Sequence, residues 1–564
     1  MLHEQFKTIR GYISNRQFAE LERFSFSVPQ TFNWVKEVFE DINCVEFPQR
    51  EALIWTNGSE VKTYTYDKLR KRTNQLLNFL RKYHVEAGEV ILSQMPQLPP
   101  IWFTILASIK GGYRLIPAAT ILSVNDIVYR FETLMPKVVI ADLENAEKID
   151  EAEKISGKQV SLKILVEGTK EGWISYSEIE QESDEASAAE TRSNEALFLF
   201  FTSGTTGMPK VVTHTHVSYP LGHLTTASWI GLKPGDVHYN VSQPGWAKFA
   251  WSSVFAPWNM GATIFAFNQP GRFNAAQQLE HIEKFKITTF CAPPTVLRML
   301  IQEDLKAYKL SLKECVAAGE PLNPEIIDVW QKGTGLLIRD GYGQTESTCI
   351  IGNLPGTKVK FGSMGKPTFL YDVVIANETG EILPVHEEGN ITVRTDSDTL
   401  TGIFDEYLGD PEKKKAVFKH DLYYTGDKAY MDEDGYYWFV GRDDDVIKSS
   451  DYRVGPFEVE SILLEHDAVI ESAVVGSPHP VKGFEIKAFV ILGPEYQSSQ
   501  ALADEIFLFS RGKLAPYKMP RIIEFVTELP KTISGKIRRV ELRALEAEAK
   551  LKNRKNDFEF GYTK

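Results

Sequence analysis

Between residues 88 and 142 short apolar runs alternate with longer amphipathic stretches, and this alternation most narrows what the chain can fold into. "GEVILSQM" (88–95), "RLIPA" (114–118) and "KVVIAD" (137–142) have the length and apolarity of buried strands. "PPIWFTILASIKGG" (99–112) and "VNDIVYRFETL" (124–134) have helical spacing, the first ending in glycine. Strand, helix and strand in turn, with right-handed crossovers, predict a mostly parallel sheet covered on both faces. The rhythm returns in "ATIFAF" (262–267), "QQLEHIEKFK" (277–286), "TTFCAPP" (288–294) and "SLKECVAAG" (311–319). The fold class is therefore α/β.

The texture changes after about residue 360 to short alternating strands, "DVVIANETGEIL", "GNITVRT" and "GYYWFVGR". They predict an antiparallel, barrel-like layer closing the large domain. "GRDDDVIKSSDYRVG" (441–455) is a dense charged turn region. Beyond it, "PFEVESILLEH" and "ADEIFLFSRGKLAPYK" read as helices, and "VIESAVVGS", "EIKAFVIL" and "RIIEFV" as strands. The expected division is a large domain over residues 1–443 and a small α+β domain over 444–564. Residues 180–195, acidic and poor in apolar side chains, read as an exposed helix or linker.

Composition excludes several classes. A net charge of −13 argues against a nucleic-acid partner bound through a basic surface. Cys44, Cys291, Cys315 and Cys349 lie far apart with no CxxC pair, so they read as reduced thiols. The first residues, "MLHEQFKTIRGYISNRQF", lack the apolar core of a signal peptide, and no run predicts a membrane span. A cytoplasmic protein is expected.

"FTSGTTGMPK" (201–210) follows the apolar run 196–201. A strand ending in a glycine-rich turn presents backbone N–H groups, which with hydroxyls and a lysine can cradle phosphate oxygens. The P-loop pattern does not fit, because Lys210 follows Pro209 and precedes Val211. Four further strings follow in order: "AAGEPL" (317–322), "DGYGQTE" (340–346), "YYTGD" (423–427) with "GRDDDVIKSSDYRVGPFEVES" (441–461), and "PKTISGKIRR" (530–539).

In this order the strings resemble the signature motifs of the adenylate-forming superfamily, over roughly residues 30–545. Within it the chain is most similar to medium-chain acyl-CoA synthetases and, next, to acetyl-CoA synthetase. The resemblance implies that Thr202, Ser203, Gly204, Thr205, Thr206, Gly207 and Lys210 cover the β- and γ-phosphates of ATP. It gives the phosphates to Thr345 as well, and a Mg²⁺ ion to Glu346. Gly319, Glu320, Pro321, Asp340, Gly341, Tyr342, Gly343 and Gln344 would wrap the nucleotide, Asp427 would accept from the ribose, and Arg442 would support that end. Lys536 would carry adenylation by bridging carboxylate and α-phosphate oxygens. Its place on a mobile domain also suggests a lysine acetyltransferase and deacetylase as partners.

Asp444 falls at the family's hinge. Ser450, Asp451, Tyr452, Arg453 and Lys482 fall where relatives meet coenzyme A, although Asp451 stands where they usually have glycine. Gly343 stands where acetate-specific relatives block the acyl pocket with tryptophan, so a deeper pocket is expected. Trp246, Lys248 and Trp251 lie where the family builds the pocket wall, and Lys248 there needs solvent, a carboxylate or substrate as partner. His214 and His216 in "THTH" mimic a metal pair, but a core or surface role is expected. The implied activity is ATP-dependent synthesis of an acyl-CoA from a short-to-medium-chain acid, straight or branched. A stand-alone enzyme loading a carrier protein, and a non-catalytic acyl or nucleotide sensor, stay open beside it.

Overall fold

The computed structural model describes residues 2–202, 209–395, 402–442, 445–449, 452–480, 482–531 and 536–562, without the side chains of Leu2 and Arg453. By compactness the chain forms two units, Met1–Asp372 with Arg394–Ala416 and Val373–Val393 with Val417–Lys564.

The first unit is built on two mixed sheets. One has the strand order Glu406–Tyr407, Lys210–Thr215, Ala196–Thr202, Arg114–Pro117, Val90–Gln94, Val138–Ala141, Leu162–Leu165 and Ile174–Ser175. From Ala196–Thr202 to Ile174–Ser175 its pairings are parallel, as the alternation predicts. The helix Pro100–Gly111 starts on proline and stops at Gly112, whose φ of 70° needs no Cβ. Ser123 and Asp126 form a capping box at the head of Val124–Thr133. Ile127 and Phe131 of that helix pack on Val90, Leu92 and Ile116 of the sheet.

The other sheet runs Lys366–Pro367, Cys349–Gly352, Ile338–Gly343, Glu314–Ala317, Thr289–Ala292, Val237–Asn240, Thr263–Phe267, Glu51–Thr56 and Val61–Thr65. It is parallel from Ile338–Gly343 to Glu51–Thr56 and antiparallel at both ends. The predicted exposed helix or linker at 180–195 is not helical beyond the 3₁₀ turn Tyr176–Gln181. It is pinned as extended chain, because Asn74, Gln75, Asn78 and Arg81 of the helix Tyr66–Lys82 donate to its backbone carbonyls.

The second unit holds a five-stranded sheet in which Val373–Ala376 pairs antiparallel with Gly389–Arg394, and Leu422–Met431 antiparallel with Tyr437–Arg442. Its six-stranded sheet pairs Val469–His479 with Gly483–Leu492, and the helices Pro456–Leu464 and Gln500–Lys513 close a core around Val459, Phe507 and Ile523. Inside this unit Lys487 is buried with its ammonium 2.7 Å from Glu524, 2.5 Å from Glu546 and 2.6 Å from Glu559. Among the described residues no helix is long and apolar enough to cross a membrane. All four cysteines are free thiols.

Candidate active site

In the first unit the glycine-rich string joins two antiparallel strands. Thr202 and Lys210 face each other across that hairpin, so the loop leaves and re-enters the sheet at one point. Ser203, Gly204, Thr205, Thr206 and Gly207 lie outside the described residues. Lys210 sits on the returning strand. Its ammonium is in direct contact with the Glu346 carboxylate and donates to the Tyr407 hydroxyl at 3.0 Å. That hydroxyl donates in turn to Glu346 Oε1 at 3.0 Å. Burial alone would push the Glu346 carboxyl up, but the Lys210 charge and hydrogen bond hold it below its ordinary range. The result is a buried carboxylate kept ionised, a donor suited to a hard cation.

Glu346 stands in a tight turn. Gln344 N–H donates to Ser347 Oγ at 3.0 Å, and Phe404 N–H donates to the Glu346 carbonyl at 2.8 Å. Thr345 presents its carbonyl to His214 Nε2 at 2.7 Å. Both histidines of "THTH" are buried, as a core role predicts, and neither joins a metal-like group among the described residues.

The strand Ile338–Gly343 brings in Asp340, Gly341 and Tyr342. The Asp340 carboxyl is buried and pushed up to about 8, against the N–H groups of Gly341 and Leu322, which favour its charge. Gly341 is glycine because the Trp229 indole lies where its Cβ would be, 2.3 Å away. The same indole donates to the Asp340 carbonyl at 3.1 Å. Gly319 has a φ of 105°, Pro321 follows it in the turn, and Glu320 accepts from Thr295 Oγ1 at 2.9 Å.

A Cβ on Gly343 would lie 2.2 Å from the Thr348 carbonyl oxygen. Its missing side chain therefore accommodates the returning backbone; the direction of that Cβ does not open on space. Trp246, half-buried, packs on the cluster containing Ala118, Leu199 and Val211. Trp251 lies near-parallel to His223 at 6.3 Å and tilted to Trp229 at 6.2 Å. Lys248 donates to the Ala318 carbonyl at 3.3 Å, one residue before Gly319. A backbone carbonyl thus partners it, besides the solvent, carboxylate or substrate expected.

In the second unit Asp427 and Arg442 face each other across a strand pair, 3.7 Å between Arg442 Nε and the carboxylate. Asp444, Ser450 and Asp451 lie outside the described residues, and of Arg453 only the backbone is described. Tyr452 is exposed and stacks on Tyr517 with centroids 4.3 Å apart. Lys482 is paired with Glu485 at 2.7 Å. Lys536 is exposed, three residues before the helix Arg539–Leu551. That helix is braced at its start: Arg543 contacts Asp445, and Arg539 forks onto Glu460 at 2.6 and 2.9 Å.

Sequence reasoning missed Tyr407, His214, Asp445, Arg539 and Arg543 as members of these arrangements. Tyr407 occupies a two-residue edge strand with no motif around it. The Asp445 contact joins residues 98 apart, which no local pattern displays.

Residues 41–408 match the AMP-binding enzyme family, and residues 458–536 match the AMP-binding enzyme C-terminal domain. The chain is 48% identical over 525 residues to 4-hydroxybutyrate–CoA ligase 1 of Metallosphaera sedula, covering 92% of each chain. It is 43% identical over 535 residues to the mitochondrial acyl-coenzyme A synthetase ACSM3 of Rattus norvegicus, covering 93% of this chain and 92% of the other. Among solved structures it resembles the anthranilate CoA ligase AuaEII bound to anthranoyl-AMP, with a TM-score of 0.84, 31% identity and coverage of 93% and 99%. A benzoate CoA ligase from Burkholderia xenovorans follows with a TM-score of 0.78, 28% identity and coverage of 91% and 100%.

Proposed function

The chain belongs to the AMP-binding enzyme family and is an ATP-dependent acyl-CoA ligase, and from that premise we propose which residues do the work and which acid it takes. ATP and coenzyme A are its co-substrates. In the first half-reaction a carboxylate oxygen attacks the α-phosphorus of ATP. The bond to the bridging oxygen breaks, and pyrophosphate leaves with its electron pair. In the second, the thiolate sulfur of coenzyme A attacks the acyl carbon and AMP departs. Negative charge gathers on phosphate oxygens in the first step, so positioning and fixed positive charge lower its barrier.

Lys210 and the 202–209 loop hold the β- and γ-phosphates with Thr345, and Lys536 neutralises charge between carboxylate and α-phosphate. Glu346, held ionised and buried, fits a Mg²⁺ ligand. When bound, that ion supplies charge neutralisation on the phosphates. Asp340 to Tyr342 take the adenine and Asp427 the ribose. Asp444 is the pivot of a small domain over 444–564 that exchanges Lys536 for residues 450–453 between half-reactions. The Asp445–Arg543 contact supports this, because it ties the chain just after the pivot to the helix that follows Lys536. Tyr452, Arg453 and Lys482 meet coenzyme A. The free thiols and the co-substrates ATP and coenzyme A support a reducing intracellular compartment, the cytoplasm or an organelle such as the mitochondrion of the ACSM3 relative.

The acid is a short-to-medium-chain one, and its favoured form carries a hydroxyl. One observation carries this reading: Lys248 holds a cationic side chain 3.3 Å from the Ala318 carbonyl, beside the turn that begins at Gly319. Asn240, buried, donates to Ser253 Oγ at 3.0 Å and to the Lys248 carbonyl at 3.4 Å, and its Oδ1 accepts no hydrogen bond from any described residue. The 4-hydroxybutyrate relative is consistent with this reading. The test is release of pyrophosphate and AMP with butyrate, 4-hydroxybutyrate, pentanoate and benzoate, with and without coenzyme A. Wild-type enzyme should prefer the hydroxy acid over butyrate in kcat/KM, and Lys248→Met should reverse that order. A preference for butyrate in both proteins sinks the polar-pocket reading. AMP release only with an added carrier protein would give the enzyme to the carrier-loading class.

A further inference from the structure

His214 lies four residues beyond Lys210 on the strand Lys210–Thr215, where alternation puts both side chains on one face. It is fully buried, and both ring nitrogens are engaged. Nε2 is 2.7 Å from the Thr345 carbonyl oxygen, and Nδ1 is 3.0 Å from Ser218 Oγ. A carbonyl can only accept, so Nε2 carries a proton. Ser218 Oγ accepts the Thr215 N–H at 2.9 Å, which leaves its own hydrogen to donate to Nδ1. The two constraints agree on one neutral tautomer with the proton on Nε2. Burial, which pushes the imidazole down to about 4, suits the same form. The Tyr219 ring, centroid 4.5 Å away, fixes its plane.

Thr345 and Glu346 are thus anchored twice from one strand. Lys210 holds the Glu346 carboxylate, and His214 holds the carbonyl that precedes it. We propose that His214 is a positioning residue, acting through the Thr345 carbonyl to aim the Thr345–Glu346 turn at the metal–nucleotide complex. The proposal rests on the reading of Glu346 as the Mg²⁺ ligand.

Two isosteres separate the ring's two bonds. Glutamine places its amide N–H near the position of Nε2 and keeps the bond to Thr345. Asparagine reaches only the position of Nδ1 and keeps the bond to Ser218. Binding of ATP is measured by calorimetry with and without Mg²⁺, and acyl-adenylate formation is measured apart from thioester formation on supplied acyl-adenylate. His214→Asn should weaken Mg²⁺–ATP binding about tenfold, the worth of one hydrogen bond. It should weaken Mg²⁺-free ATP binding by a smaller factor, through Thr345 alone, and slow only the first half-reaction. His214→Gln should recover most of that loss. Equal loss in both variants, or recovery by asparagine in place of glutamine, overturns the proposal. ¹⁵N NMR of wild-type protein gives a check free of folding effects: His214 must show the Nε2–H tautomer, and the Nδ1–H or doubly protonated form overturns it. Glu346→Gln is the separate control. If it leaves the Mg²⁺ effect on ATP binding intact, the Glu346 reading fails on its own account, whatever the histidine variants do.

Discussion

Replacing Gly341 by alanine drives a methyl group into the indole of Trp229. The new Cβ would lie 2.3 Å from Cε2 and 2.5 Å from Cζ2. Unstrained carbons sit about 3.5–4.0 Å apart, so one partner must yield by more than about 1 Å. The indole is buried and has little room, because a Cβ on Gly352, the residue paired with Gly341, would meet it at 2.6 Å. Its Nε1 is also tied to the Asp340 carbonyl. Overpacking costs about 1–3 kcal/mol and the strained hydrogen bond about 1 kcal/mol more, so about 2–4 kcal/mol in all. The shift is about 2–4 °C per kcal/mol for domains of 150–250 residues and smaller for a larger unit such as this one, so Tm should fall by a few degrees. Function should fall further, because the strand that yields carries Asp340 and Tyr342, and a shift near 1 Å in a positioning group costs up to about 10²-fold. The assay is thermal unfolding together with KM for ATP and pyrophosphate release. The decisive measurement is the double variant: with Trp229→Leu in place, adding Gly341→Ala should cost much less than it does alone. Additivity within about 0.5 kcal/mol would show that methyl and indole do not collide, and would refute the argument.

Tyr407→Phe removes the hydroxyl that links Lys210 to Glu346. Adenylation should fall about 10–100-fold, the worth of a hydrogen bond to a charged group, with thioester formation from supplied acyl-adenylate spared; single-turnover kinetics with unchanged adenylation would rule the link out. Asp340 is raised to about 8 in the fold against about 3.9 unfolded. Its contribution to stability is therefore fully present below pH about 4 and lost as pH rises through about 8. Asp340→Asn, neutral throughout, should gain Tm relative to wild type between pH 6 and 9 and keep an ATP KM near wild type at pH 7; a constant Tm difference across that range would mean that Asp340 is ionised in the fold.

The strands and helices of the first unit were legible because a buried parallel strand must be apolar along its whole length and a covering helix along one stripe. Val138–Ala141 and Val124–Thr133 show those two signals plainly. The glycine-rich string was legible as a break between two strands, which pair at Thr202 and Lys210; its role as a phosphate cradle is proposed because few residue types can approach a phosphate through backbone N–H groups. Contacts between distant segments were not. His214 was expected in a core or surface role, but its partner Thr345, 131 residues away, shows in no local pattern. Gly343 was read as space because sequence shows a missing side chain but not the direction in which it would have pointed.

The buried cluster of Lys487 with Glu524, Glu546 and Glu559 has a consequence for how this chain can diverge. Three carboxylates share one ammonium there, and among the described residues Lys550 adds a second cation at 3.6–3.7 Å. Replacing Lys487 leaves three buried carboxylates without their shared ammonium, at about 3–5 kcal/mol, whereas replacing the whole group with apolar side chains is often neutral. Loss of one glutamate leaves the ammonium paired with the other two, so the carboxylates can be exchanged singly while the lysine stays. Descendants of this sequence should therefore keep lysine at position 487 and change it only after positions 524, 546 and 559 have changed.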